Sequence, residues 1–255
     1  MTVFWSAGVY ASGSTWAYNV MRAVAAVGYP ARVRTSRFAN TVADLAGIED
    51  GEALHVVKTH DLPAAAATVL LDHSPRLVLS VRDPRDAVTS LMRYQNYPFE
   101  QAGQVIARSA RFVRHLAEIV PGALVLRYED GFTDDVATVA RIAEALGIAI
   151  TGGAAEAMFT AHSRAAVERF IARLPDSGEA RANGPADYYD PATQWHRHHV
   201  GRDGEVGRWR RMLMPGQPGA IEADCGDYMD RFGYARAPLH VGGYALKLGA
   251  FRLDI

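Results

Sequence analysis

The stretch "GVYASGSTW", Gly8–Trp16, decides the fold. It follows an apolar run, Val3-Phe4-Trp5, that reads as a first strand, and it nearly spells the phosphate-binding pattern G-x-x-x-x-G-K-[ST]. Gly8 and Gly13 take the glycine positions and Thr15 the hydroxyl position, but Ser14 stands where lysine belongs. A strand, a glycine-bearing loop and a helix start aim backbone N–H groups at one point, with the positive end of the helix dipole behind them. Ser12, Gly13, Ser14 and Thr15 are therefore candidate anion ligands even without the lysine. The plainer alternative is a strand–turn–helix junction capped by serine and threonine.

Working outward, apolar runs alternate with segments of helical period. Residues 15–28 carry Trp16, Val20, Val24 and Val27 near helical spacing and stop at Gly28. Strands are expected over 53–60, 76–83 and 123–130. A helix with Pro63 in its first turn follows the first of these, and one with Pro84 at its first position follows the second. Longer helical patterns cover 98–119 and 133–146, the last ending at Gly147. This rhythm predicts an α/β fold, a three-layer sandwich whose central parallel sheet carries helices on both faces. Ligands of such sheets bind beyond the carboxyl ends of the strands, which lines up Gly8–Trp16, Lys58–His60 and Arg82–Asp83 along one edge. From 175 to 207 the periodicity dissolves into a polar stretch rich in Gly and Pro, too long for a plain connection and read as a functional lid.

Bulk properties narrow the function. The 255 residues are 49% hydrophobic and 22% charged, enough for one sizeable domain, and no apolar run approaches a membrane span. The first residues lack the pattern of a secretory signal, and Cys225 is the only cysteine, which together point to a reducing cytoplasm. A lone cysteine of this kind reads as a small buried hydrophobe. With a formal net charge of −1, a nucleic-acid coat is excluded, and any anion site must rest on local basic clusters.

Three further stretches carry chemistry. In "VVKTHDLP", Lys58 and His60 share a face at a strand's open end, where a neutral histidine can take a proton and a lysine can stabilise a departing anion. In "RDPRDAVTSLMRY", Arg82 and Ser90 can face one phosphate, while Arg85, Asp86 and Arg93 read as a solvated helix face. "GRDGEVGRWRR" sets Arg202, Arg208, Arg210 and Arg211 among three glycines, a basic loop able to close over a phosphate. "HRHH" supplies His196, His198 and His199, but three clustered loop histidines seldom make a zinc geometry alone. They read better as acceptor contacts.

Together these pieces resemble the sulfotransferases that use 3′-phosphoadenosine 5′-phosphosulfate (PAPS), especially the cytosolic branch with its P-loop NTPase-like fold. "YASGSTW" is similar to that family's PKSGTTW loop, "KTHDLP" to its K-T-H-L-P segment and "RDPRDAVTS" to R-N-P-K-D-x-x-x-S. "LRYED" matches its Y-E-D, and "RDGEVGRW" resembles R-K-G-x-x-G-D-W. The five pieces keep the family's order across residues 10 to 209. The resemblance implies a single sulfotransferase-like domain over 1–255, with PAPS as co-substrate, adenosine 3′,5′-bisphosphate (PAP) as product and no metal. Ser12 to Thr15 would cradle the 5′-phosphosulfate and Trp16 would stack on adenine, beside Tyr128. Arg82 and Ser90 would hold the 3′-phosphate, with Arg202 and Gly204 closing over it. His60 would be the general base, and Lys58 would lie near the sulfuryl group. The acceptor would be a hydroxyl or amine of a small molecule or glycan, with no nucleic-acid partner, and a homo-oligomer is compatible with the pattern.

The sequence departs from the family pattern at Tyr10 and Ala11, which replace Pro-Lys, at an inserted Asp61 beside His60, and at Asp203 in place of lysine. The charge lost at Ala11 is expected to come from Lys58. Two other readings compete: a P-loop small-molecule kinase, which should show the missing lysine, and a degenerate PAPS- or PAP-binding protein without catalysis. For the acceptor, Tyr94, Tyr97, Tyr188, Tyr189 and Trp195 are candidate wall residues.

Overall fold

The structure is a computed structural model that describes residues 2–32, 34–48, 53–183, 187–199 and 204–236. Five parallel strands form its centre: β1 (Thr2–Gly8), β2 (Arg34–Phe38), β3 (Leu54–Thr59), β4 (Arg76–Val81) and β5 (Leu124–Arg127), in the order β2-β3-β1-β4-β5. β1, in the middle, is buried on both faces after Thr2, as is all of β3. That burial explains why these strands read as continuous apolar runs and not as alternating ones. The sheet reverses direction of growth at β1, so the crevice at its carboxyl end is the natural ligand position.

Helices cover both faces. On one side α1 (Ser14–Gly28), α5 (Ala137–Ala145), α6 (Gly152–Ala161) and α7 (Arg164–Arg173) pack on Phe4, Val56, Val78 and Leu126. On the other, α2 (Ala64–Leu71), α3 (Pro84–Tyr94), α4 (Phe99–Ile119) and α9 (Gln217–Phe232) pack on Trp5, Val57, Leu79 and Val81, with the four-residue α8 (Trp209–Met212) at the edge. Alternate residues along one strand thus feed opposite cores, as the two-residue strand period requires. A two-stranded hairpin, β6 (Arg181–Ala182) with β7 (Tyr188–Tyr189), lies within the stretch expected as a lid.

The expected elements are present with ends shifted by a few residues; the segment 133–146 is helical only from Ala137, after a short 3₁₀ turn at Phe132–Asp134. The edge strand β2 was not foreseen, because "RTSRF" offers one apolar residue in five and gains its place by pairing with β3. Arg85 and Asp86 correct the sequence reading outright: they are 4% and 1% exposed and form no solvated face. Arg93 is half-buried. Cys225 is buried, and burial pushes its thiol up to about 12, as fits a packing residue. No described helix is long and apolar enough to cross a membrane.

Candidate active site

The carboxyl ends of β1, β3 and β4 open into a cavity of about 770 Å³, within the size range of small-molecule sites. Its floor is the loop Tyr10–Gly13 and the first turn of α1, where Gly13, Ser14, Thr15 and Trp16 line it. Gly13 has φ 78°, and a Cβ there would strike the Phe132 ring, so glycine is required both for the turn and for the close approach. Ser14 and Thr15 are the first helical residues, whose N–H groups have no intrahelical acceptor. Ser12 differs from them. Its hydroxyl donates to the Val9 carbonyl (2.7 Å) and shares a 2.9 Å bond with Ser80 Oγ, stapling the loop to β4. Only its backbone is left to serve an anion. Trp16 lines the wall, held by its indole N–H donating to the His162 carbonyl (3.1 Å).

Lys58 and His60 meet on the same wall. Lys58 Nζ lies 3.1 Å from His60 Nε2, and His60 Nδ1 lies 2.7 Å from the Gly8 carbonyl. A carbonyl can only accept, so Nδ1 carries the ring proton and Nε2 presents a lone pair to Lys58. Burial lowers the Lys58 pKa to about 7. Burial also holds His60 well below its ordinary value, helped by the Lys58 charge and opposed by the Gly8 carbonyl. His60 is thus neutral at physiological pH. Tyr10 stacks on its ring (3.9 Å), and Phe38 at the end of β2 sits edge-on to it (5.8 Å) and 4.8 Å beneath the Lys58 ammonium. Asp61 does not address His60; its carboxylate is paired with Arg108 on α4. Phe38 escaped the sequence reading because its strand did, while the register Phe38↔Lys58 places the two side by side.

Arg82 anchors the other end of the cavity. It is 5% exposed, its backbone N–H donates to Tyr228 Oη (3.1 Å), and Tyr228 donates back to its carbonyl (3.0 Å). Its guanidinium donates to the Ala11 carbonyl (2.8 Å), weakly to Ser90 Oγ (3.4 Å) and to the Glu205 carbonyl (3.1 Å), and lies 4.2 Å from the Tyr128 ring centre. Its buried Nε has no partner among the described residues. Ser90 is buried beneath it. Gly204 packs so tightly on Tyr128 that a Cβ would overlap the phenol oxygen. Arg202 and Asp203 lie outside the described residues. The remaining arginines of that loop do not line the cavity: Arg208 and Arg211 pair with Glu205, and Arg210 covers the Trp209 ring at 4.7 Å.

The sequence reading missed what ties this loop down. Asp86 accepts from the backbone N–H of Gly207 (2.6 Å) and of Trp209 (2.9 Å), and burial raises its pKa against those bonds. The third wall comes from the expected lid: Asn183, Gln194, Trp195, His196, His198 and His199 all face the cavity. Of the expected aromatic wall, Tyr94 and Trp195 line it, while Tyr97, Tyr188 and Tyr189 pack elsewhere.

Comparison with known proteins agrees with this fold. Residues 2–233 match the family model described as the sulfotransferase domain. No curated protein sequence matches the chain. Among solved structures, a mouse sulfotransferase, SULT7A1, complexed with PAP superposes with a TM-score of 0.56 at 16% identity, over 89% of this chain and 83% of that one. A retinol dehydratase complexed with retinol and PAP gives 0.57 at 16% identity, over 89% and 81%. A retinol dehydratase complex with androsterone and PAP gives 0.57 at 17%, over 89% and 80%. A five-stranded parallel sheet with a glycine loop after β1, a family match over nearly the whole chain and this shared fold place the protein in the sulfotransferase domain family.

Proposed function

We propose that the chain moves a sulfuryl group from PAPS to a hydroxyl, or an amine, of a small-molecule or carbohydrate acceptor, with His60 as general base. The observation that carries this reading is the buried Lys58–His60 pair, held in one tautomer by Gly8 and opening into the cavity that the start of α1 also lines. The donor set suits a bisphosphorylated nucleotide: N–H groups at a helix N-terminus, and the buried Arg82 guanidinium, which touches the Ala11 carbonyl and whose Nε has no partner among the described residues. When bound, PAPS supplies the sulfuryl group and PAP as its leaving group.

The chain's residues then divide the work. Gly13, Ser14 and Thr15, with the Ser12 backbone, hold the 5′ end. Arg82 and Ser90 hold the 3′-phosphate, with Gly204 and Arg202 closing that end, and Trp16 and Tyr128 flank the base. His60 Nε2 takes the proton of the acceptor hydroxyl, which requires Lys58 to leave its bond to that nitrogen. The freed ammonium turns to the departing phosphate, replacing the charge absent at Ala11. Residues 1–255 act as one domain in this reading, with 175–207 as the lid over the acceptor, and a cytoplasmic setting follows because PAPS is made there.

The test is mass-spectrometric detection of PAPS-dependent product across an acceptor library, with His60→Ala as control. A product lost by about 10²-fold or more in the variant, at unchanged PAP affinity by calorimetry, is expected. PAP binding without product from any acceptor would instead establish a binding protein, and equal loss of affinity and turnover would make His60 a binding residue.

A further inference from the structure

The lid hairpin brings together a donor set that sulfuryl transfer does not use. Asp187 precedes β7, and His196 pairs with Tyr189 across an antiparallel bridge, so one short piece of backbone fixes both. His198 follows in the 3₁₀ turn Arg197–His199. Asp187 Oδ2 lies 3.1 Å from His196 Nδ1 and 3.1 Å from His198 Nδ1, and one ligand atom from each of the three residues falls within 4.8 Å of the others. The other oxygen, Asp187 Oδ1, is buried and has no hydrogen-bond partner among the described residues.

We infer that Asp187, His196 and His198 form a binding site for a zinc-like divalent cation in the wall of the cavity. Two imidazoles and a carboxylate are a donor set that such ions accept with a fourth position left open. Tetrahedral coordination with bonds of about 2.0–2.2 Å sets ligand atoms roughly 3.3–3.5 Å apart. The two 3.1 Å separations are within a few tenths of an ångström of that.

Supporting contacts are in place. Asn183 donates to the coordinating oxygen (2.9 Å), Tyr189 stacks on His196 (4.8 Å between centres) and Tyr94 on His198 (6.5 Å). A hydrogen bond of the Asn183 kind holds a ligating carboxylate in place before metal arrives. The two side chains and the carboxylate are each about one-fifth exposed, 20%, 19% and 19%, so an ion can enter yet remains largely enclosed. Asn183, His196 and His198 line the same cavity as Lys58 and His60, so an ion held by the two histidines would sit in the wall of that cavity. A water would occupy the open coordination position. The site does not depend on the sulfuryl-transfer reading.

Cobalt(II) titration of the untagged chain tests this. Tetrahedral or five-coordinate visible bands saturating at one equivalent, and bleached by zinc, are expected. His196→Gln/His198→Gln should abolish the bands while far-UV circular dichroism and melting temperature stay near those of the parent. Absence of bands in the parent, or bands that survive in the double variant or in Asp187→Asn, would overturn the proposal. Should the double variant fold poorly, the single variants His196→Gln and His198→Gln, each expected to weaken cobalt affinity by at least about tenfold, decide it in the same way. PAP binding is measured separately, so loss of sulfuryl transfer and loss of the metal site give different results.

Discussion

Lys58 shows how burial can turn an ordinary side chain into a working one. In water its ammonium would persist to high pH, but inside the wall its pKa is about 7, so charge on it is easily gained and lost. Two consequences separate the catalytic role from the structural one. For catalysis, kcat/KM should fall as pH rises through about 7, where free enzyme loses the ammonium. The fall in kcat should come at higher pH, because a bound anion favours the charged form. Lys58→Ala should lower turnover by about 10²-fold and remove this limb, and turnover near wild type would exclude Lys58 as the compensating charge. For stability, the unfolded lysine titrates near 10.5 and the folded one near 7, so between these values the unfolded chain binds more protons. Stability therefore rises with pH across that window, by at most about 1.4 kcal/mol per unit. Lys58→Met should flatten the slope in urea-melt midpoints taken from pH 7 to 10.

At the scale of elements, the Gly204–Trp209 segment is held by a helix as well as by its own Glu205 ion pairs. Asp86, in the first turn of α3, reaches two backbone N–H groups of the segment that meets Arg82 and Tyr128. Hydrogen bonds to a charged group contribute about 1.5–3 kcal/mol each. Asp86→Ala should free the Gly204–Trp209 segment, weakening PAP binding by at least tenfold in calorimetry while leaving the Lys58–His60 pair intact. Equal affinity would mean that the segment does not close on the nucleotide. The position itself is set by sequence: Asp83 caps α3 by accepting from Arg85 N–H (2.9 Å), Pro84 follows, and Asp86 then lands one turn in. What it would touch was not legible, since Gly207 and Trp209 are 121 and 123 residues away.

Across the whole molecule, one buried arginine joins the start of α3 to α9. Arg85 donates to Asp83 (2.7 Å) and to Glu222 on α9 (2.7 Å), reaches the Ala235 carbonyl (2.9 Å) and lies 4.1 Å from the Trp209 ring centre. Removing one partner of such a group leaves buried charge behind. Arg85→Met should therefore lower unfolding free energy by about 3–5 kcal/mol, read as a shifted urea midpoint at unchanged slope. Arg85→Lys should recover little, because an ammonium cannot reproduce the fork. Additional Asp83→Asn and Glu222→Gln changes should restore part of the loss.

The alternation of buried strands and helices, the glycine loop before α1, and the order of the five motifs follow from the sequence alone, because each rests on periodicity or on residues adjacent in the chain. So do the places of Lys58, His60, Arg82 and Ser90 at strand ends and on the helix that follows. Tertiary structure decided the rest. It made an edge strand of "RTSRF" by pairing it with β3, put Phe38 under Lys58, and turned Asp61 to Arg108 and away from His60. It also buried Arg85 and Asp86, which composition marks as surface residues, and brought Asp187, His196 and His198 together beside one hairpin. The division has a physical reason. Backbone geometry and burial period are local and repeat along the chain, whereas a charged side chain's environment depends on which distant partner desolvates it.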